Sequence, residues 1–262
     1  MSDVHPPPEK RPSPFIAFLT ALQFLLVSPA FIKRPFTARE LGAAVGFYPL
    51  VGLVLGGLLL AADYLLALFM PPLVRLALIL VLWVLLTGAL HLDGFLDACD
   101  GLLGGYTPES RLEIMRDEHF GAFALAGGVL LLLVKFSALS AITPLAPALL
   151  LAPVLGRWGM AVALVAFPYA RPQGLGRAVK DTASWAQAIT ATAFAIPITV
   201  VVAWLWAGWW AFLALGIAVL LVWGGARYTL RRLPGLTGDI YGALNEIIEV
   251  AVLLVLASGS FH

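Results

Sequence analysis

The chain is predicted to be all-α and polytopic, an integral membrane protein with about seven transmembrane helices after an N-terminal apolar segment that is re-entrant or interfacial. Three observations predict it. Hydrophobic residues fill 61% of the 262 positions and charged residues 12%, against about 25% charged in an average soluble domain. No charge lies between Lys135 and Arg157 or between Asp181 and Arg227, and only Asp63 lies between Glu40 and Arg75. Such stretches accommodate the roughly 20 apolar residues that a membrane crossing needs. Finally, the connections between apolar runs alternate between basic and uncharged, as the positive-inside rule produces.

In chain order, the leader 1–14, MSDVHPPPEKRPSP, is polar and proline-rich and reads as a disordered tail rather than a cleavable signal. Residues 15–262 read as a single membrane-embedded domain, because no polar stretch in them is long enough to fold separately. The first apolar run, 15–31, is short and ends near Pro29. Seven more follow, at about 40–69, 73–91, 121–142, 147–167, 186–206, 208–225 and 240–257. The connections carrying Lys33, Arg34 and Arg39, then Arg111 and Arg116, then Arg171, Arg177 and Lys180, then Arg227, Arg231 and Arg232 are basic, and those near 70–74, 143–147 and 207–209 carry no charge. Trp204, Trp206, Trp209 and Trp210 cluster where rings favour the headgroup level and mark the outer hairpin. A net charge of +1 gives no bulk attraction for nucleic acid. A single cysteine, Cys99, excludes an intrachain disulfide and a cysteine-cluster metal site.

Seven of the 15 acidic residues fall between 93 and 118. His91-Leu-Asp93-Gly94-Phe-Leu-Asp97-Ala-Cys99-Asp100-Gly101 follows directly on an apolar run. In a helix, Asp93, Asp97 and Asp100 share one face. Carboxylates so placed repel unless a cation sits among them, and Mg²⁺ suits oxygen ligands while keeping waters or substrate phosphates in its other positions. The competing reading is a solvated helix whose acids align by chance; ionisable groups at membrane depth argue for function. Gly94 and Gly101 suggest close backbone approach or helix breaks beside the acids. His91 reads as a general base, a metal ligand or a hydrogen-bonded helix-end residue, and Cys99 as packing.

A second acidic run opens the last helix. Asp239 suits a first-turn acid or cap. Asn245 and Glu249 are spaced to pair, while Glu246 and Glu249 lie about two turns into apolar sequence and need a partner. A cation shared with the aspartate motif is the economical choice. Arg157 and the loop holding Arg171, Gly174, Gly176, Arg177 and Lys180 read either as anchors for anionic lipid or as a clamp for phosphate.

Taken in order, Asp93-Gly-x-x-Asp97-x-x-Asp100-Gly101, Arg111-x-Glu113-Ile-Met-Arg116-Asp117, Gly156-Arg157 with Pro168-Tyr-Ala-Arg171, and Leu236-Thr-Gly-Asp239-x-x-Gly242-Ala-x-Asn245-Glu246 closely resemble the cobalamin synthase (adenosylcobinamide-GDP ribazoletransferase) family. The resemblance runs from about residue 15 across nearly the whole chain. It implies a magnesium-dependent enzyme of the cytoplasmic (inner) membrane, with its active site facing the cytoplasm. Its substrates would be adenosylcobinamide-GDP and α-ribazole or its 5′-phosphate, with release of GMP. On these residues it implies Asp93, Asp97, Asp100, Asp239 and Glu246 as metal ligands, and Arg116, Arg157, Arg171, Arg177, Lys180 and Asn245 at the phosphates. His91 or an aspartate would take the proton. Besides membrane lipid, a homo-oligomer or an association with other corrinoid-pathway enzymes stays open. The nearest rival, a CDP-alcohol phosphotransferase, calls for Asp-Gly-x-x-Ala-Arg, and here Ala98 is followed by Cys99. An ion-coupled transporter would show related halves, and the sequence has no convincing internal repeat.

Overall fold

A computed structural model describes residues 12–259. The expected disordered leader falls on residues 1–14, of which 1–11 lie outside the described residues. Among the described residues there are twelve α-helices and no strand. In order they are α1 (Pro14–Leu25), α2 (Ala38–Ala44), α3 (Tyr48–Leu66), α4 (Pro72–Leu86), α5 (Leu90–Gly104), α6 (Pro108–Ile114), α7 (Ala122–Ala141), α8 (Ala146–Ala166), α9 (Leu175–Thr182), α10 (Trp185–Val202), α11 (Trp209–Leu230) and α12 (Gly238–Gly259). Six helical stretches are long and apolar enough to cross a membrane, and α4 with α5 makes a seventh if the bent pair counts as one span. The 12-residue α1 is too short to cross, as expected of an interfacial segment.

The alternation of helices sets two ends. One gathers the basic connections, and the other gathers 67–71, 142–145 and the π turn Ala203–Ala207. Asp63 and Arg75, which meet at 3.2 Å between α3 and α4, sit toward the second end. There Trp204 (84% exposed) and Trp209 (60%) project outward.

Burial ranks the helices. Within their apolar windows α8 is 89% and α12 78% buried, whereas α7 and α10 are each 33% and α11 28%. So α8 and α12 form the centre and the others present faces for lipid. The α3–α8 contact shows how the centre packs. Pro153 lacks the N–H that would bond the Leu149 carbonyl one turn earlier. Gly56 packs its Cα against that carbonyl, and Gly52 does so against the carbonyl of Pro153. The small-x-x-x-small spacing lets the two backbones touch, the usual route to tight helix packing without a hydrophobic driving force.

Sequence hydropathy runs through 73–91 without a break, but the structure bends there. Gly88 (φ 58°) and Ala89 (φ 57°) are both left-handed, a conformation glycine adopts freely and alanine at some cost. The result is an 86° angle between α4 and α5, so the acidic motif lies on its own helix.

Candidate functional site

The site forms where α5 crosses the start of α12. A Cβ on Gly94 would lie 3.0 Å from the Asp239 Cα and carbonyl oxygen, and one on Gly242 would lie 3.0 Å from the His91 carbonyl. The two helices therefore touch backbone to backbone, and Asp93 and Asp97 come beside Asp239. Asp97 lies within electrostatic reach of Asp93, Asp239 and Arg171.

Arg171 is delivered by a short backbone clip. The Ala170 N–H donates to Leu236 O and the Leu236 N–H to Pro168 O, both at 2.8 Å. A Cβ on Gly235 would lie 2.6 Å from the Ala170 nitrogen, so only glycine fits there. Across this clip the Arg171 guanidinium donates to Asp239 Oδ2 at 2.6 Å and to the Met115 carbonyl at 3.3 Å. The Arg171 Nε is buried without a partner, and the side chain lines a cavity of about 310 Å³ together with Asp93, Asp239 and His91. The start of α9 borders the same cavity. Its N-cap, Gly174 (φ 106°), provides no side-chain cap, so backbone N–H groups remain open to an anion. Tyr169 also lines the cavity, and burial holds its phenol above the ordinary range.

Several predicted site residues are engaged elsewhere. Asp100 accepts from the Gly121 N–H (2.6 Å) and the Ala124 N–H (2.9 Å), so it caps α7 from the neighbouring helix and satisfies donors that have no intrahelical partner. The cation shared between the aspartate motif and Glu246 is replaced by an amino acid. Lys135, on α7, donates to Glu246 and Glu249 at 2.6 Å each. Arg157 donates to Glu249 at 3.0 Å, as does Asn245 at 3.0 Å, the pairing its spacing predicts. With Arg157, Asn245 and Glu249 at 0% exposure, Arg157 and Asn245 have no path to a phosphate. Gly156 permits this arrangement, since a Cβ there would lie 2.6 Å from Asn245 Oδ1.

The basic loop divides in the same way. Lys180 donates to the Leu164 and Val165 carbonyls at 2.9 Å each, closing the C-terminal end of α8, and burial holds its ammonium below the ordinary range. Arg177 pairs with Asp181 one turn on, at the surface. Arg116 is exposed, within electrostatic reach of Tyr169. His91 is 2% exposed with no hydrogen-bond partner on either ring nitrogen. Cys99 packs on α7 at Gly127, off the aspartate face. The partner that sequence reasoning missed is Lys135: a lone lysine inside the apolar run 121–142, next to two unpaired glutamates, was the available signal.

The donor set suits a hard cation. Asp93, Asp97 and Asp239 offer only oxygen. Among the described residues no three acidic, histidine or cysteine side chains close a metal site by themselves. Magnesium would need substrate phosphates beside one or two of these carboxylates.

The sequence pattern of cobalamin-5-phosphate synthase matches residues 17–257. The chain is 43% identical over 245 residues to the adenosylcobinamide-GDP ribazoletransferase of Stutzerimonas stutzeri (strain A1501), covering 92% of this chain and 98% of the relative. It is 40% identical to that of Desulfitobacterium hafniense (strain Y51), covering 89% and 93%. To that of Pseudomonas putida (strain GB-1) it is 41% identical, covering 93% and 99%. No solved structure matches the chain.

Proposed function

As the chain belongs to the cobalamin-5-phosphate synthase family, we propose that it is an adenosylcobinamide-GDP ribazoletransferase, joining that donor to α-ribazole or its 5′-phosphate. One observation carries the reading: Asp93, Asp239 and Arg171 line one cavity, with Asp97 within electrostatic reach of all three, on the end of the bundle where the basic connections gather. Phosphoryl transfer depends on positioning and on charge stabilisation rather than on covalent help from the protein, and these residues supply both.

In this reaction a ribose hydroxyl of the acceptor attacks the cobinamide-linked phosphorus. The new O–P bond forms as the bond to the GMP oxygen breaks, and the hydroxyl proton passes to a carboxylate of the cluster. One or two of the carboxylates Asp93, Asp97 and Asp239 would hold magnesium together with the diphosphate. When bound, the ion neutralises phosphate charge and steadies the leaving oxygen. Arg171 stands by the diphosphate with a free Nε–H, joined by the open N-terminus of α9 and, from the surface, by Arg116. The excess of Lys and Arg at this end supports an orientation with the site facing the cytoplasm, in the cytoplasmic membrane.

The test uses purified full-length protein in detergent with magnesium and adenosylcobinamide-GDP, offered α-ribazole in one arm and its 5′-phosphate in the other. GMP and a completed corrinoid should appear together in at least one arm. No GMP in either arm, from protein that is folded, overturns the reading.

A further inference from the structure

Besides Asp93, Asp239 and Arg171, much of the cavity lining is apolar. Leu25, Leu90, Met160, Leu164 and Val179 line it, and the rings of Tyr169 and Tyr241, stacked with centroids 6.3 Å apart and planes inclined at 24°, add aromatic surface. Two buried polar groups interrupt this lining. The His91 imidazole is 2% exposed and Tyr241 6% exposed, and neither ring nitrogen of His91 nor the Tyr241 hydroxyl has a hydrogen-bond partner. Buried polar groups are nearly always satisfied, and leaving one unsatisfied is unfavourable. Two of them lining one cavity therefore mark where a ligand completes the structure.

We propose that the apolar part of this cavity binds the base of the acceptor nucleoside, a flat, uncharged, largely apolar fused aromatic ring, against the Tyr169–Tyr241 pair with its polar edge toward Tyr241 and His91. Size and polarity select that occupant. A volume of about 310 Å³ lies at the lower end of the range for ligand pockets, roughly 300–1,000 Å³. It suits a bicyclic base and is too small for a corrinoid macrocycle. The guanine of the donor carries a carbonyl, ring nitrogens and an amine on its edges, which Leu25, Leu90, Met160, Leu164 and Val179 would leave unpaired, so the apolar part of the lining disfavours guanine. The assignment of this base to the acceptor rests on the transferase reading above.

The experiment measures equilibrium dialysis of labelled benzimidazole riboside against the full chain in detergent, without magnesium or donor. Saturable binding that excess guanosine does not displace is expected. Leu164→Phe, which fills the cavity, should weaken it on the order of tenfold or more, and Tyr241→Phe, which removes one oxygen, about three- to tenfold. If Leu164→Phe fails to fold, Tyr241→Phe decides. Absence of saturable binding, equal displacement by guanosine, or wild-type affinity in folded Tyr241→Phe overturns the proposal. GMP release measured on the same preparation separates the two ideas. Turnover without this selective binding sinks the base site and leaves the transferase reading standing, whereas selective binding without GMP release overturns the transferase reading and with it the assignment of the bound base to an acceptor.

Discussion

Two charged clusters share α12, and they differ in how their charge is balanced. In the buried one, Lys135 and Arg157 face Glu246 and Glu249, two cations against two anions, with every member at 6% exposure or less. In the open one, Asp93, Asp97 and Asp239 face Arg171 alone. The first is balanced in charge and closed to solvent. The second carries surplus negative charge, and that surplus equips it for a cation and a diphosphate. Similar residue types on the same helix, Asp239 and Glu246, thus do different work because their surroundings differ.

The comparison breaks most readily at Asp97. Asp97→Ala should lower the rate of GMP release by on the order of a thousandfold while the protein still elutes as a folded species in detergent; near-normal turnover would remove the acidic cluster from the mechanism. The mirror-image change is Lys135→Met, which leaves two buried carboxylates with one cation. It should destabilise the protein by about 3–5 kcal/mol, read as a loss of folded yield and a lower unfolding temperature. Lys135→Met combined with Glu246→Gln should recover much of that loss, and failure of the pair to recover would show that the lysine acts by something other than balance.

Smaller changes sharpen the boundary. Gly94→Ala inserts a methyl against the Asp239 backbone and should cost about 1–3 kcal/mol of stability, with an added loss of kcat because Asp93 and Asp97 move away from Asp239. Asp100→Asn keeps the shape of the α7 cap but loses its charge and one acceptor. Stability should fall by about 1–2 kcal/mol, and the magnesium concentration giving half-maximal rate should stay unchanged; a large rise in that concentration would return Asp100 to the metal. Smallest of all, Arg177→Ala breaks an exposed pair with Asp181 and should shift stability by less than about 1 kcal/mol and leave the KM for the donor where it was.

Much of this was legible in the residues. The spans, the short first helix, the helical spacing of Asp93 and Asp97, the Asn245–Glu249 pairing and the close approach at Gly94 all follow from local periodicity or from what glycine permits. The bend before α5 was not legible, since Thr87, Gly88 and Ala89 interrupt neither hydropathy nor composition. Nor was the division of the acids. Glu246 and Asp100 look as available as Asp239 and Asp97 until their partners are seen, and a basic loop looks like a clamp until Lys180 is found holding the end of α8.

By itself the sequence determined the membrane architecture, the family and the pool of charged residues from which a site is built, because hydropathy, helical period and motif spacing are properties of neighbours along the chain. Tertiary packing decided which members of that pool are neutralised and which stay open. Lys135 reaches Glu246 across 111 residues of sequence, Asp100 caps a helix that starts more than 20 residues later, and Arg171 meets Asp239 only through the clip at Leu236. Electrostatic energy depends on distance in space and on access to water, and neither is written in the order of residues.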